Sequence, residues 1–205
     1  MGHRALLAYR RDETDGTDET GEAIETDGTD ENDGCDESTV ADETTAPAAD
    51  ATYDLHRSHW GAADFALADH ISAASPFAAD TAFAVDPDPV MTGVTLADAA
   101  ANYVDFLHHE AFYVVDADYE TTPYHVLWFG LDADSEAVDR SETVGHGALV
   151  EVWNDADFLR GWFRGTKGVA GEMVDRGALS PEEAADYLAA RVRAWAGERE
   201  VFVAE

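Results

Sequence analysis

The chain has 205 residues, and its 12 lysine and arginine residues against 44 aspartate and glutamate residues give a net charge of -32. This length fits one domain, and the charge argues against non-specific nucleic-acid binding, which needs a basic surface. No apolar run approaches the roughly 20 residues of a membrane-spanning helix, and no apolar signal segment follows the start. We therefore expect a cytoplasmic protein without a membrane partner.

The surplus of acidic residues runs through the whole chain, and Lys167 is the only lysine. At low ionic strength such a charge destabilises the compact state by self-repulsion. In molar salt the Debye length falls to about 3 Å, so the repulsion is screened. Acidic surfaces with arginine in place of lysine resemble those of proteins from salt-accumulating haloarchaea. We predict a protein that needs salt to fold.

Two strand-like segments, residues 5–9 and 53–60, flank an acidic stretch of low complexity at residues 12–52. This stretch has no lysine or arginine and few large apolar side chains, so we predict that it is disordered. The sequence E-T-D-G-T-D-E occurs in it twice, which indicates expansion of a loop by duplication. We expect the flanking segments to pair as one hairpin with the stretch at its tip, Tyr9 opposite Tyr53 and His3 opposite His59.

The remaining elements alternate between helices and strands. We predict a short helix at 62–72, irregular chain through Pro89, and a helix from the Thr95 cap to about His109. Strands follow at 112–115, 124–131 and 148–153, the first two as a hairpin. A helix after them is weakened by glycines and is expected to kink or break near Lys167. Ser180 opens the last helix, before a short strand at 200–203.

These elements predict a single α+β domain over residues 1–205. Its antiparallel sheet has about four to five strands, with helices packed on it and the long disordered acidic insertion at the first hairpin tip. Cys35 is the only cysteine, so an intramolecular disulfide and a cysteine-based zinc site are excluded.

Histidines are frequent in this chain, which has 8 of them. Neutral imidazoles with a carboxylate are what a zinc, manganese or iron site needs. The predicted register brings His3 and His59 together, and His109 joins them from the middle helix. Asp105, four residues earlier, would orient His109 or supply an oxygen ligand. Because no dense ligand motif occurs, semi-buried structural histidines explain the same pattern more simply.

Arg160, Arg164 and Lys167 form the one basic cluster, on one face of a predicted helix. Such a cluster is a candidate anion contact. It is equally consistent with ion pairs to Asp157 and Glu172, and we favour these pairs because carboxylates are abundant. The five tryptophans fall within predicted elements, where core packing explains them best.

Several motifs together resemble a family of small uncharacterised haloarchaeal acidic proteins. They are M-G-H-R-A-L at the start, Y-x-L-H-x-S-H-W-G-A at residues 53–62, E-A-F-Y-V-V at 110–115, L-W-F-G-L at 127–131, L-R-G-W-F at 159–163 and L-S-P-E-E-A at 179–184. The resemblance covers nearly all of the chain except the insertion. In the relatives the link between the first two strands is much shorter, which supports the hairpin. The resemblance implies a haloarchaeal cytoplasmic protein and implies no activity, cofactor or catalytic residue.

Three functions remain open from these patterns. The first is a binding or accessory module of uncharacterised role. The second is a small metal-dependent hydrolase that uses His3, His59 and His109. The third is a partner-binding protein whose acidic loop makes the contact. The sequence does not decide whether the protein is an enzyme, and it specifies neither a cofactor nor an oligomeric state.

Overall fold

A computed structural model describes residues 3–11, 51–136, 138–153 and 156–204. Its strands are Ala5–Arg10 (β1), Tyr53–Ser58 (β2), Met91–Val94 (β3), Ala111–Val115 (β4), Thr121–Trp128 (β5), Gly147–Glu151 (β6) and Val201–Val203 (β7). Its α-helices are Leu96–Asn102 (α1), Ala156–Asp175 (α2) and Pro181–Ala196 (α3), and a 3₁₀ helix spans Ala63–His70. Residues 12–50 of the stretch predicted to be disordered, with the duplicated acidic repeat, lie outside the described residues.

The strands form one sheet in the order β3-β2-β1-β4-β5-β6-β7. Neighbouring strands are antiparallel except β1 and β4, which are parallel. The α+β class is confirmed, but the sheet has seven strands in place of the predicted four to five. The strand missed entirely is β3, which follows Pro87 and Pro89 and contains Gly93 at a φ of +70°. Proline and glycine favour turns, so the sequence predicts irregular chain where the structure has a strand.

The predicted hairpin of β1 and β2 is confirmed, but its register is wrong by one residue. Tyr53 pairs with Arg10 rather than with Tyr9. The backbone N–H of Arg11 then donates to the carbonyl oxygen of Thr52 at 2.9 Å, which closes the ladder at the two ends of the insertion. A shift of one residue sends Tyr9 and Tyr53 to opposite faces of the sheet, so they do not share a face as expected.

The register was ambiguous because β1 is buried on both of its faces. Leu6 and Leu7 are both inaccessible to solvent, and they belong to core clusters on opposite sides of the sheet. A strand covered on both sides has no polar face, and its apolar pattern fits either register equally well. On one side of the sheet, helices α2 and α3 cover β5 and β6, and the 3₁₀ helix covers β1 and β4. On the other side, α1 covers the core.

Polar side chains of the sheet hold the irregular chain between β2 and β3 in place. The hydroxyls of Tyr9 and Ser58 donate to backbone carbonyls at 2.7 and 2.8 Å, and the ring Nδ1 of His56 lies 2.9 Å from a third. The carbonyl groups belong to Pro76, Phe83 and Asp86. His56 and Ser58 are thus buried structural groups whose hydrogen bonds offset the cost of their desolvation.

Helix α1 is shorter than predicted. Thr95 caps it as expected, accepting a hydrogen bond from the Asp98 N–H at 3.1 Å. The helix ends at Asn102 rather than near His109, because the next segment bonds elsewhere: the Phe106 N–H donates to the Thr143 carbonyl at 2.7 Å. Residues 104–110 therefore form a turn that leads into β4.

Helix α2 runs without a break through its glycines, so the predicted kink near Lys167 is wrong. Leu159, Phe163 and Val174 pack into the core on one face of the helix, and this burial outweighs a penalty of about 1 kcal/mol for each glycine.

The predicted helix at 62–72 is a 3₁₀ helix, with positive φ angles at Asp64 and Phe65.

The start of α3 is as predicted. The Ser180 side chain accepts from the Glu183 N–H, and the Glu183 carboxylate accepts from the Ser180 N–H at 2.7 Å. Such a reciprocal pair satisfies two donors that the helix itself leaves open. Within the described residues, no helix combines the length and the apolar character that crossing a bilayer requires.

Candidate functional site

The starting ends of β1 and β4 bring His3 next to Glu110. Because the two strands are parallel, their first residues lie at the same edge of the sheet, and the Glu110 N–H donates to the Arg4 carbonyl at 2.9 Å. The His3 Nδ1 then lies 2.8 Å from a carboxylate oxygen of Glu110. Both side chains are about half exposed, so this pair contributes little to stability.

His59 does not lie opposite His3, and the predicted pairing of these rings is wrong. The register that pairs Ala5 with Ser58 continues to His3 beside Trp60, and the centres of these two rings are 6.1 Å apart. His59 instead lines a shallow depression of about 550 Å³, together with Arg4 and Trp60.

Asp105 and His109 lie close together, as predicted, although on a turn rather than a helix. The Asp105 N–H donates to Nδ1 of His109 at 3.0 Å, while the Asp105 carboxylate lies 2.8 Å from the Nδ1 of His108. Burial lowers the pKa of His109 to about 4, against a smaller opposing effect of Asp105. Burial by itself would raise the pKa of Asp105, but hydrogen bonds from His108 keep it below its ordinary value.

These contacts determine the protonation state of His109. At neutral pH its ring is uncharged, and Nδ1 accepts a hydrogen bond, so the proton is on Nε2. Within the described residues, no group of three or more histidine, cysteine, aspartate or glutamate side chains has the arrangement of a metal site. The metal site that the sequence suggests at His3, His59, His109 and Asp105 stays a prediction.

A pocket of about 410 Å³ lies between α2 and the end of β5, next to the turn that carries His109. Aliphatic and aromatic side chains form much of its wall: Phe106, Leu107, Val126, Leu127, Trp128 and Phe163. Its polar lining consists of His109, Glu110, Arg160, Arg164 and Lys167. The structure thus brings the predicted basic cluster together with one of the predicted histidines.

The three cations share one face of α2 because they are spaced four and three residues apart. Among the residues that the structure describes, no carboxylate oxygen lies within 4.0 Å of their nitrogen atoms. The ion pairs that we favoured from the sequence are therefore wrong. Glu172 pairs with Arg176 at 3.0 Å, one turn further along the helix, and Asp157 bonds to none of the three.

Aromatic rings take the place of carboxylates beside two of these cations. The Lys167 Nζ lies 4.7 Å from the centre of the Trp128 ring and donates to the Trp128 carbonyl oxygen at 3.3 Å. Arg160 lies over the Phe65 ring, 5.7 Å from its centre. Burial lowers the pKa of Lys167, with Asp132 acting in the opposite direction. Within the described part of the chain, Arg164 has no hydrogen-bond or ring partner.

Sequence reasoning missed the aromatic wall of this pocket. It assigned every tryptophan to the core, yet Trp60 and Trp153 are 50% and 48% exposed, and Trp128 lines the pocket. Phe106 was placed on a helix that ends four residues before it. Trp128 is the last residue of β5, but only the tertiary structure shows that α2 packs beside it.

Comparison with known protein families finds a match to a family whose function is unknown. The family model that matches is described as a family of unknown function (DUF6735), and it covers residues 78–203, more than half of the chain. The matched segment contains every residue that lines the pocket, whereas β1 and β2 precede it. No curated protein and no solved structure matches the chain.

Proposed function

The chain belongs to this family of unknown function, DUF6735, and we propose from the geometry of its pocket that the protein is a binding module for a small organic anion. Arg160 and Arg164 hold the anionic group, and Lys167 adds a third positive charge beside them. The apolar wall of the pocket receives the hydrocarbon part of the ligand. This proposal gives a candidate site to the binding or accessory module that the sequence predicts.

The absence of carboxylate partners at these three cations, within the described residues, carries the proposal. The chain has 44 acidic residues and only 12 lysine and arginine residues, so a surface cation has many opportunities to form an ion pair. Cations without such partners beside a cavity keep their donors available to a ligand. Two arginines one helical turn apart suit a carboxylate or phosphate group, which they bind through paired N–H donors.

The apolar lining favours an organic anion over an inorganic one. A pocket of about 410 Å³ falls in the size range of small-molecule sites, which is roughly 300–1,000 Å³. At high ionic strength, attraction over more than a few ångströms is screened, so direct contacts and burial of apolar surface must supply the affinity. Leu107, Val126 and Trp128, which are only partly buried or exposed, offer such surface beside the cations.

We infer that this binding takes place in the salt-rich cytoplasm of a haloarchaeon. The composition supports this setting, since the net charge is -32 and all but one of the basic residues are arginines. High intracellular salt would screen the repulsion between the carboxylates.

The test is calorimetric titration with phenyl phosphate in molar KCl, with inorganic phosphate as the comparison ligand. We expect the organic anion to bind more tightly. Arg164→Gln should weaken its binding at least about tenfold, equivalent to about 1.4 kcal/mol. Arg176→Gln is the matched control, because Arg176 lies on the same helix but outside the pocket. Equal binding by the two variants, or no binding by the unmodified protein, would overturn the proposal.

A further inference from the structure

The only primary amine among the side chains of this protein lies in the pocket. The other eleven basic side chains are arginines, whose guanidinium groups stay protonated and do not act as nucleophiles. An arginine at position 167 would keep the positive charge. A lysine at this position adds a reactivity that arginine lacks, because an amine that loses its proton can form a covalent bond to carbon.

The position of Lys167 suits an amine that reacts within a binding site. Its side chain is half-buried, and its Nζ is held by the Trp128 ring and the Trp128 carbonyl oxygen. Within the described residues no carboxylate lies within 4.0 Å of the amine to neutralise it. Burial favours the neutral form of the amine and lowers its pKa, which increases the fraction able to react.

We propose that Lys167 forms an imine with the carbonyl group of the bound ligand, so that the ligand class is an oxo acid, an aldehyde or ketone that also carries an anionic group. This inference rests on the proposed function, because Arg160 and Arg164 hold the anionic group while the carbonyl carbon reaches Nζ. Arg164 and Lys167 are three residues apart on one helix face, which places both ends of such a ligand within one pocket.

The reaction balances without an oxidant or reductant. The lone pair of the neutral Nζ adds to the carbonyl carbon, and one of the two amine protons moves to the carbonyl oxygen to give a carbinolamine. The hydroxyl then takes up a proton from the solvent and leaves as water, while the nitrogen lone pair forms the C=N bond of the protonated imine. Loss of the remaining N–H proton to the solvent gives the neutral imine. When protonated, the imine carries the same single positive charge as the lysine, so its attraction to the face of the Trp128 ring is kept.

His109 provides a donor for the carbonyl oxygen. Its neutral ring carries the proton on Nε2, as the hydrogen bond at Nδ1 requires, and His109 lines the same pocket as Lys167. A neutral N–H in this position polarises the carbonyl group of the ligand without repelling the cationic imine.

Trapping the imine tests this inference on the full chain in molar KCl. The protein is incubated with glyoxylate and cyanoborohydride, which reduces an imine to a stable carboxymethyl amine, and the modified peptide is identified by mass spectrometry. We expect one carboxymethyl group on the peptide that contains Lys167. Because there is no other lysine, the chain amino terminus is the only competing amine, and peptide mapping separates the two.

Three controls make the outcome specific. Lys167→Arg should remove the modification from this peptide. Arg164→Gln should slow it at least about tenfold, whereas Arg176→Gln should leave the rate unchanged. Acetaldehyde, which lacks the anionic group, should modify Lys167 much more slowly than glyoxylate does. Modification of Lys167 no faster than that of the amino terminus, or equally fast with both aldehydes, would overturn the inference.

Phenyl phosphate binding, measured on the same preparation, separates this inference from the proposed function. If the unmodified protein binds phenyl phosphate but does not react with glyoxylate, the imine is excluded and the binding site stands. If it neither binds nor reacts, both proposals fail.

Discussion

The backbone N–H of Asp105 donates a hydrogen bond to Nδ1 of His109 across 3.0 Å, within a turn of five residues. The contact uses the lone pair that a proton would otherwise occupy. Together with the burial of the ring, it keeps His109 neutral and places its proton on Nε2. His109 therefore presents a neutral N–H donor to the pocket, although histidine as a residue type can carry a positive charge.

We expect the His109 ring to stay neutral well below the ordinary range of histidine. Its pKa is lowered from 6.5 to about 4 by burial, so NMR titration of the imidazole should show no protonation of His109 down to pH 5. A titration midpoint near pH 6.5 would contradict this. The unfolded chain binds the proton more readily, so the stability that the neutral ring contributes is present above about pH 6.5 and is lost as the pH falls towards 4.

Two glycines of α2 should respond in opposite directions to the same substitution. An added Cβ at Gly165 meets no atom within 4 Å, whereas one at Gly171 lies 2.9 Å from the Asp132 carbonyl oxygen. Gly165→Ala should therefore stabilise the protein by about 0.5–1 kcal/mol, because alanine loses less backbone entropy in a helix. Gly171→Ala should destabilise it by about 1–3 kcal/mol through the forced contact.

Urea unfolding in molar KCl measures both changes in the free energy of unfolding. The two variants are matched controls for each other, since they share the helix and the chemical change. Stabilisation by both would show that the helix moves away from Asp132 at little cost.

Replacing residues 12–51 by Asn-Gly should leave the sheet intact. The Arg11 N–H already bonds to the Thr52 carbonyl at 2.9 Å, so a two-residue turn can close the hairpin at this point. Shortening the loop lowers the entropy of the unfolded chain, and the free energy of unfolding should stay the same or rise by up to about 2 kcal/mol. Circular dichroism and urea unfolding measure the outcome, and loss of cooperative unfolding would show that the removed residues pack on the domain.

Salt should stabilise the protein by screening the repulsion among its carboxylates. We expect the thermal midpoint to be far higher in molar KCl than in roughly 0.1 M KCl, where the Debye length is about 10 Å. Sucrose at the same osmolality is the control, because it favours compact states without screening charge. If sucrose restores stability as well as KCl does, charge screening is not the cause.

Local signals in the sequence were sufficient to predict where α1 and α3 begin. The requirement for salt that we predict also follows from composition alone. The reciprocal bonds of Ser180 and Glu183, like the cap at Thr95, involve neighbours only three residues apart, so the residue types predict them directly. The α+β class and the pairing of β1 with β2 also follow from apolar patterns and turn positions.

The tertiary structure alone decided the register and the site. Because β1 is covered on both faces, its apolar pattern cannot distinguish registers one residue apart, and the expected pairing of His3 with His59 failed for that reason. Likewise, Arg160, Arg164 and Lys167 were visible as a cluster, but their partners were not. Packing of α2 against the end of β5 sets Lys167 over Trp128 and near His109, and no local pattern encodes contacts between residues so far apart in the chain.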